Sequence, residues 1–339
     1  MFYIRADGNP EIGMGHVMRC LSIADALTLK GHKPVFITST EESLQMIHRR
    51  GYETILLETD YQEMELEIRQ IASIMQKNPH REKNIILVDS YQVTEPYFIS
   101  LRNYAKVACM EDMGYSYPVD MLINYNIYGP QMEYTGNFKK ILGTQYVPLR
   151  KEFREDCDYI VKDTVTDVML TTGGSDPKFI SKAILEGCLA DARLQNINYH
   201  VISGPFNRYE KELMEYVSNF DQVTVYKNVK SMKEIMKRCD VILTATGSTL
   251  YEISALGVPM ICFYFADNQQ PGARCLAEQT SIVNAGNIID FREMTLRNLK
   301  SALLHCVEDK KYRERIAYQE KQLVDGYGAE RIAEELMKL

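Results

Sequence analysis

The chain has 339 residues, 45% hydrophobic and 25% charged, a soluble-globular balance whose length predicts two domains rather than one. Its formal net charge is −7, with no long basic run and no Trp, which argues against extended nucleic-acid binding or attachment to an anionic membrane. Eight cysteines form no C-x-x-C pair, and several sit in apolar runs such as Met260-Ile261-Cys262-Phe263, which suits buried thiols in a reducing compartment.

The first residues read as a short strand, with no basic region and apolar signal core, and no apolar run approaches a membrane span; a cytoplasmic location is expected. The strand Phe2-Tyr3-Ile4-Arg5-Ala6 runs through a turn-rich loop into a helix. Val17, Cys20, Leu21, Ala24 and Leu27 recur at three- and four-residue spacing on one face, and Gly31 stands where a C-terminal cap belongs. Gly13 and Gly15 bracket the loop, where positive φ and close approach of a ligand are expected. His16 falls at or near the first helical turn, where the helix dipole disfavours an imidazolium and favours a neutral ring able to accept a proton. A Gly-x-Gly turn by itself leaves a structural role for His16 equally open.

Strands follow at 34–38 and 54–57, with helices near 43–50 and 61–77. Ile85-Ile86-Leu87-Val88 is a continuous apolar run, as in a strand covered on both faces, and it ends in Asp89-Ser90-Tyr91. A helix near 96–104 and strands at 107–110 and 122–124 continue an alternation that predicts a parallel sheet with right-handed crossovers. The charged segment Lys151–Asp163 marks the domain boundary. Within it Asp156-Cys157-Asp158 resembles a metal-binding D-x-D but reads as solvated surface.

The second half repeats the pattern, with strands at 168–171, 199–202, 223–226, 241–244 and 259–265 and three helix patterns to close. The fold class is therefore α/β, with two doubly wound parallel-sheet domains facing a cleft and ligands at the carboxyl ends of the strands. The loops there are 7–16, Asp89-Ser90-Tyr91, Glu111-Asp112, 172–177, 245–249 and 266–270. Gly173-Gly174-Ser175 and Gly247-Ser248-Thr249 each offer amides and hydroxyls at a helix start, a cradle for phosphate. Glu252, one turn into the second of these helices, suits a ribose diol, although a carboxylate there also complements the dipole. No P-loop is present, and the first loop departs from the G-x-G-x-x-G fingerprint.

Together these stretches resemble the UDP-sugar hydrolases of pseudaminic acid synthesis, a family similar in fold to GT-B glycosyltransferases. The matching stretches are Arg5-Ala6-Asp7 with Ile12 through Cys20, Val88 through Tyr91, Leu122-Ile123-Asn124, Gly143 with Leu149 through Phe153, and Thr172 through Pro177. Ala245 to Gln269 is also similar to the donor site of the peptidoglycan N-acetylglucosaminyltransferase.

The resemblance implies a GT-B-like pair of Rossmann-like domains, 1–150 and 151–325, with a last helix in 326–339 that crosses back to the first. It implies hydrolysis of UDP-2,4-diacetamido-2,4,6-trideoxy-β-L-altropyranose at the sugar C1–O bond, with His16 activating water. Tyr91 and Asn268 match positions lining the sugar and diphosphate, Glu252 matches the ribose ligand, and Arg5, Asp7, Gly13, Gly15 and Gln269 complete the expected substrate site. No cofactor and no metal are implied, and the expected partner is the small-molecule UDP-sugar alone, with a monomer or weak dimer. Glu111-Asp112 stands where two aspartates are expected, so its role is open. A glycosyltransferase sharing the donor site is the nearest rival, and a nucleotide-sugar-binding protein without turnover is a third reading.

Overall fold

Residues 1–78, 83–154 and 158–339 are described by a computed structural model. Asp156 and Cys157 of the D-x-D triplet lie outside the described residues. The chain divides into two compact units, one of Met1–Lys151 with Gly326–Leu339, the other of Glu152–Asp325.

In the first unit the strands are β1 (Phe2–Ala6), β2 (Val35–Thr38), β3 (Thr54–Leu56), β4 (Ile85–Asp89), β5 (Lys106–Met110), β6 (Met121–Asn124) and β7 (Lys139–Leu142). They form one parallel sheet in the order β3-β2-β1-β4-β5-β6-β7. β1 and β4 are buried at every residue, as expected of central strands covered on both faces. The order reverses between β1 and β4, and this puts the loops that leave these two strands side by side.

The helices of this unit are α1 (Gly15–Leu29), α2 (Leu44–Arg49), α3 (Met64–Gln76) and α4 (Glu95–Leu101). α1 closes with Gly31 at φ +87°, where the His32 amide donates back to the Leu27 carbonyl at 2.9 Å. The five residues expected on one face of α1 are buried, and Ile23 and Ala26 are buried too. The wider buried surface has a visible cause in the last helix of the chain, described below.

The second unit holds β8 (Asp167–Thr171), β9 (Asn198–Ser203), β10 (Val223–Lys227), β11 (Val241–Ala245), β12 (Met260–Tyr264) and β13 (Val283–Asn287). Its parallel sheet runs β10-β9-β8-β11-β12-β13, with the reversal between β8 and β11. The helices are α5 (Ile180–Leu189), α6 (Glu210–Val217), α7 (Met232–Arg238), α8 (Thr249–Leu256), α9 (Gln270–Gln279), α10 (Arg292–Glu308) and α11 (Lys310–Leu323). The region after residue 270 thus contains a strand, β13, besides its helices. The seven described cysteines are buried, with no disulfide among the described residues.

A final helix, α12 (Gly328–Leu336), belongs to the first unit and lies on α1. Gly328, Ala329, Ile332, Ala333 and Leu336 are its buried residues, and Lys30 reaches Glu334 at 2.8 Å. Gly328 comes so close to the 146–147 backbone that a Cβ would lie 2.2 Å from the Val147 carbonyl. No helix among the described residues is long and apolar enough to cross a membrane.

Glu320 on α11 is fully buried; its Oε1 accepts the Met260 amide at 3.0 Å, and its Oε2 has no hydrogen-bond partner among the described residues. Burial pushes this carboxyl well above the carboxylate range, more than the Met260 bond lowers it. A group raised in this way stabilises the fold fully below its unfolded pKa and loses that contribution as pH rises toward its folded value. Glu320→Gln keeps the acceptor and removes the titration. It is expected to raise Tm at pH about 8 and to leave it nearly unchanged near pH 4, a contrast that thermal denaturation across pH will read.

Candidate active site

The loop after β1 is shaped by its own side chains. Asn9 Oδ1 accepts the amides of Glu11 at 2.9 Å and Ile12 at 3.0 Å, and the Gly13 amide returns to the Asn9 carbonyl at 2.8 Å. Gly13 takes φ +74°, a conformation that suits glycine, whereas Gly15 has no such angle and is the first residue of α1. A Cβ at either glycine would meet nothing within 4 Å, so both border open space. The first turn of α1 has neither a side-chain cap nor an acidic residue among the described residues, so its positive dipole end is not offset by a local carboxylate.

His16, the second residue of α1, is 7% exposed and its Nδ1 lies 2.6 Å from Asp89 Oδ1. Asp89 ends β4 and also accepts Arg19 through Nε at 2.5 Å and Nη2 at 2.5 Å. An Nδ1–H donated to Asp89 leaves Nε2 as the nitrogen with a lone pair. The 3.2 Å approach of Arg19 Nη2 to the same Nδ1 is then two donors meeting on one carboxylate, not a bond between them. Burial pushes the Asp89 carboxyl up, but the charge of Arg19 and the hydrogen bonds from Arg19 and His16 outweigh it and hold the group well below the usual range.

Around this dyad stand three further side chains. Tyr91 sets its ring edge-on to His16, with centroids 4.8 Å apart, and donates to Asp112 Oδ2 at 3.3 Å. Arg19 Nη1 donates to the Tyr125 hydroxyl at 2.9 Å and lies 3.8 Å from Asp112 Oδ2. Of the residues expected here from sequence, His16, Tyr91, Gly13 and Gly15 come together. Asp89, Arg19, Tyr125 and Asp112 join them; of these, the sequence marks Asp89, Arg19 and Asp112 only as parts of longer stretches, and Tyr125 not at all. A carboxylate ending the apolar run Ile85–Asp89 is the signal that could have singled out Asp89.

Arg5 and Asp7 lie behind this group in a network of their own. Arg5 is fully buried, and its donors go to Glu67 at 2.7–3.0 Å, to Asp7 at 2.5 Å and to Ser39 at 2.9 Å. Asp7 Oδ1 accepts Thr38 Oγ1 at 2.9 Å and the Ser39 amide at 2.7 Å, and Tyr97 donates to Glu67 at 2.7 Å. Their position is that of a frame tying the end of β1 to β2, α3 and α4.

In the second unit the turns after β8, β11 and β12 adjoin because those strands are neighbours. Gly173 takes φ +86°, and neither Gly173 nor Gly247 offers a Cβ any neighbour within 4 Å. Gly174 is exposed, Ser175 half-buried, Gly247 and Ser248 exposed and Thr249 half-buried, so both turns present backbone to solvent. The turn at 173–174 rests on Gly204, where a Cβ would stand 2.2 Å from the Gly173 carbonyl. α8 starts without a side-chain cap, and Glu252 lies in its first turn, half-buried. Asn268 is exposed; Gln269 uses Oε1 to accept the Phe265 amide at 3.1 Å. Among the described residues no group of three or more His, Cys, Asp or Glu gathers as metal ligands would.

Residues 168–335 match the glycosyltransferase family 28 C-terminal domain. An uncharacterized protein of Methanocaldococcus jannaschii is 29% identical over 279 residues, 77% of this chain and 55% of that protein. The chain therefore spans about half the length of this archaeal relative. The UDP-2,4-diacetamido-2,4,6-trideoxy-β-L-altropyranose hydrolase of Campylobacter jejuni is 21% identical over 281 residues, 81% of this chain and 95% of that enzyme. The crystal structure of MurG from Acinetobacter baumannii superposes with a TM-score of 0.69 at 14% identity, over 100% of this chain and 99% of that one, a likeness of fold.

Replacing Asp89 leaves the half-buried Arg19 without its carboxylate, so Asp89→Asn is expected to cost about 2–4 kcal/mol at neutral pH. A carboxyl held low in the folded state stabilises above its unfolded pKa and loses that contribution as pH falls. The gap between wild type and Asp89→Asn should therefore narrow below pH about 4, as measured by urea denaturation at several pH values.

Proposed function

We propose, from the premise that the chain belongs to a GT-B-like family, that it is a UDP-sugar hydrolase, and that its substrate is UDP-2,4-diacetamido-2,4,6-trideoxy-β-L-altropyranose, as the Campylobacter jejuni enzyme's name states for that protein. The observation that carries the reading is the Asp89–His16 pair at an open helix start. It supports a general base: Asp89 holds the Nδ1–H and the ring's direction, and Nε2 takes a proton from water.

The water oxygen forms a bond to the sugar C1 while the C1–O bond breaks, and its electron pair leaves on the β-phosphate of UDP. The free sugar emerges with inverted anomeric configuration, because one water attacks and no carboxylate nucleophile takes part. UDP is assigned to the second unit, its phosphates to Gly173, Gly174, Ser175, Gly247, Ser248 and Thr249, its ribose to Glu252, and its diphosphate also to Asn268 and Gln269. Backbone amides at the helix starts meet the growing charge on the leaving group, so the reading needs neither metal nor cofactor. We place the reaction in the cytoplasm.

A second reading, a glycosyltransferase, is favoured by the match of residues 168–335 to a glycosyltransferase domain; an acceptor hydroxyl would replace the water. Incubation with UDP-sugars and no acceptor separates the two, since only the hydrolase releases UDP and free sugar. His16→Ala should lower kcat by roughly 10²–10⁴ with little change in KM. Proton NMR should record the inverted anomer first; full turnover by His16→Ala, or a retained anomer, would overturn the assignment of the base.

Glu252→Ala should weaken UDP by about 1–3 kcal/mol through the loss of the ribose hydrogen bonds. Titration calorimetry on the folded variant measures this directly, and unchanged affinity would take Glu252 out of the site.

A further inference from the structure

The loop after β5 brings a second carboxylate to the His16 group, in a state that asks for a donor. Glu111 holds this loop, its Oε1 accepting the amides of Met113 at 2.7 Å and Tyr115 at 3.1 Å. Asp112, next in the chain, directs Oδ2 to the Tyr91 hydroxyl at 3.3 Å and toward Arg19 Nη1 at 3.8 Å. Its Oδ1 is buried and has no hydrogen-bond partner among the described residues. The Arg19 guanidinium cannot serve it well, because Nε and Nη2 are committed to Asp89 and Nη1 to Tyr125.

A buried carboxylate oxygen without a donor is unfavourable until one arrives. A charged acceptor selects an O–H or N–H and repels phosphate, so its ligand is not the diphosphate. Tyr91 joins Asp112 to His16, which puts the acceptor in the same wall as the base. We propose that Asp112 accepts a hydrogen bond from a hydroxyl or acetamido N–H of the substrate's sugar and is a specificity-determining residue of this site. The inference rests on the assignment of a UDP-sugar to the His16 group and extends it to the sugar's own recognition. A site built to pair a polar substituent discriminates strongly against sugars without it, because the carboxylate is left unpaired.

The test compares UDP with UDP-2,4-diacetamido-2,4,6-trideoxy-β-L-altropyranose, by calorimetry and by steady-state kinetics, on the full chain and on Asp112→Ala and Asp112→Asn. For Asp112→Ala the expected result is a loss of roughly ten- to a hundredfold in affinity and in kcat/KM for the UDP-sugar, with UDP affinity kept within about twofold. Asp112→Asn retains an acceptor and should recover most of the loss. An unchanged UDP-sugar affinity in Asp112→Ala overturns the inference. So does a parallel loss for UDP, which marks a fold effect, or a fall in kcat alone, which marks a base. If the wild type binds the UDP-sugar without hydrolysing it, the hydrolase reading fails while the calorimetric comparison still decides Asp112.

Discussion

The first unit's candidate site depends on one buried carboxylate. Asp89 stands at the end of a strand with no exposed residue, where an unpaired charge would be intolerable. The fork of Arg19 fixes the plane of its oxygens, His16 takes one of them, and the Cys20 thiol lies 3.6 Å from the other. All three partners sit on the first turns of α1, so a single side chain pins that helix to β4. The ring of His16 is held from behind while the helix end in front stays uncapped. Rigidity and availability, which usually oppose each other, fall here on opposite sides of one imidazole.

The two units solve the problem of presenting polar groups differently. The first presents fixed charges with counter-charges beside them: the buried Arg5 with Asp7 and Glu67, and the half-buried Arg19 with the buried Asp89. Burial alone would lower the pKa of Arg5, but Glu67 and Asp7 raise it above its ordinary value, so this guanidinium stays charged at any pH the fold survives. The second unit presents backbone instead, in two glycine turns whose amides need no counter-ion. Such turns suit a ligand that brings its own charge.

Central strands and helix starts were legible in the sequence; edges and ion pairs were not. Ile85–Asp89 and Val241–Ala245 announce themselves as apolar runs because both faces are covered. β7 opens with two exposed lysines, and β13 carries Asn284, Asn287 and a glycine at φ +118°, so neither shows a strand pattern. Both are edge strands, where solvent and charge relax the demand for apolar side chains. His16 was legible through its helix position, whereas its link to Asp89 is made by strand order, which spacing along the chain does not encode. Arg5 illustrates the limit. A cation inside a buried strand requires an acid, but nothing in the pattern of α3 marks Glu67 over Glu65. The charged environment of Arg5 and Asp7 is a product of tertiary placement, and the motif around them is silent on it.

The return of α12 to α1 has a consequence for how the protein is made. A ribosome delivers residues 1–151 long before residues 326–339, so the first sheet must wait, with part of α1 uncovered, while the whole second unit is synthesised. At typical elongation rates that interval is on the order of ten seconds or more. The second unit is continuous in the chain and can complete its own core first. The face of α1 that α12 covers therefore stays open in the nascent chain until residues 326–339 emerge.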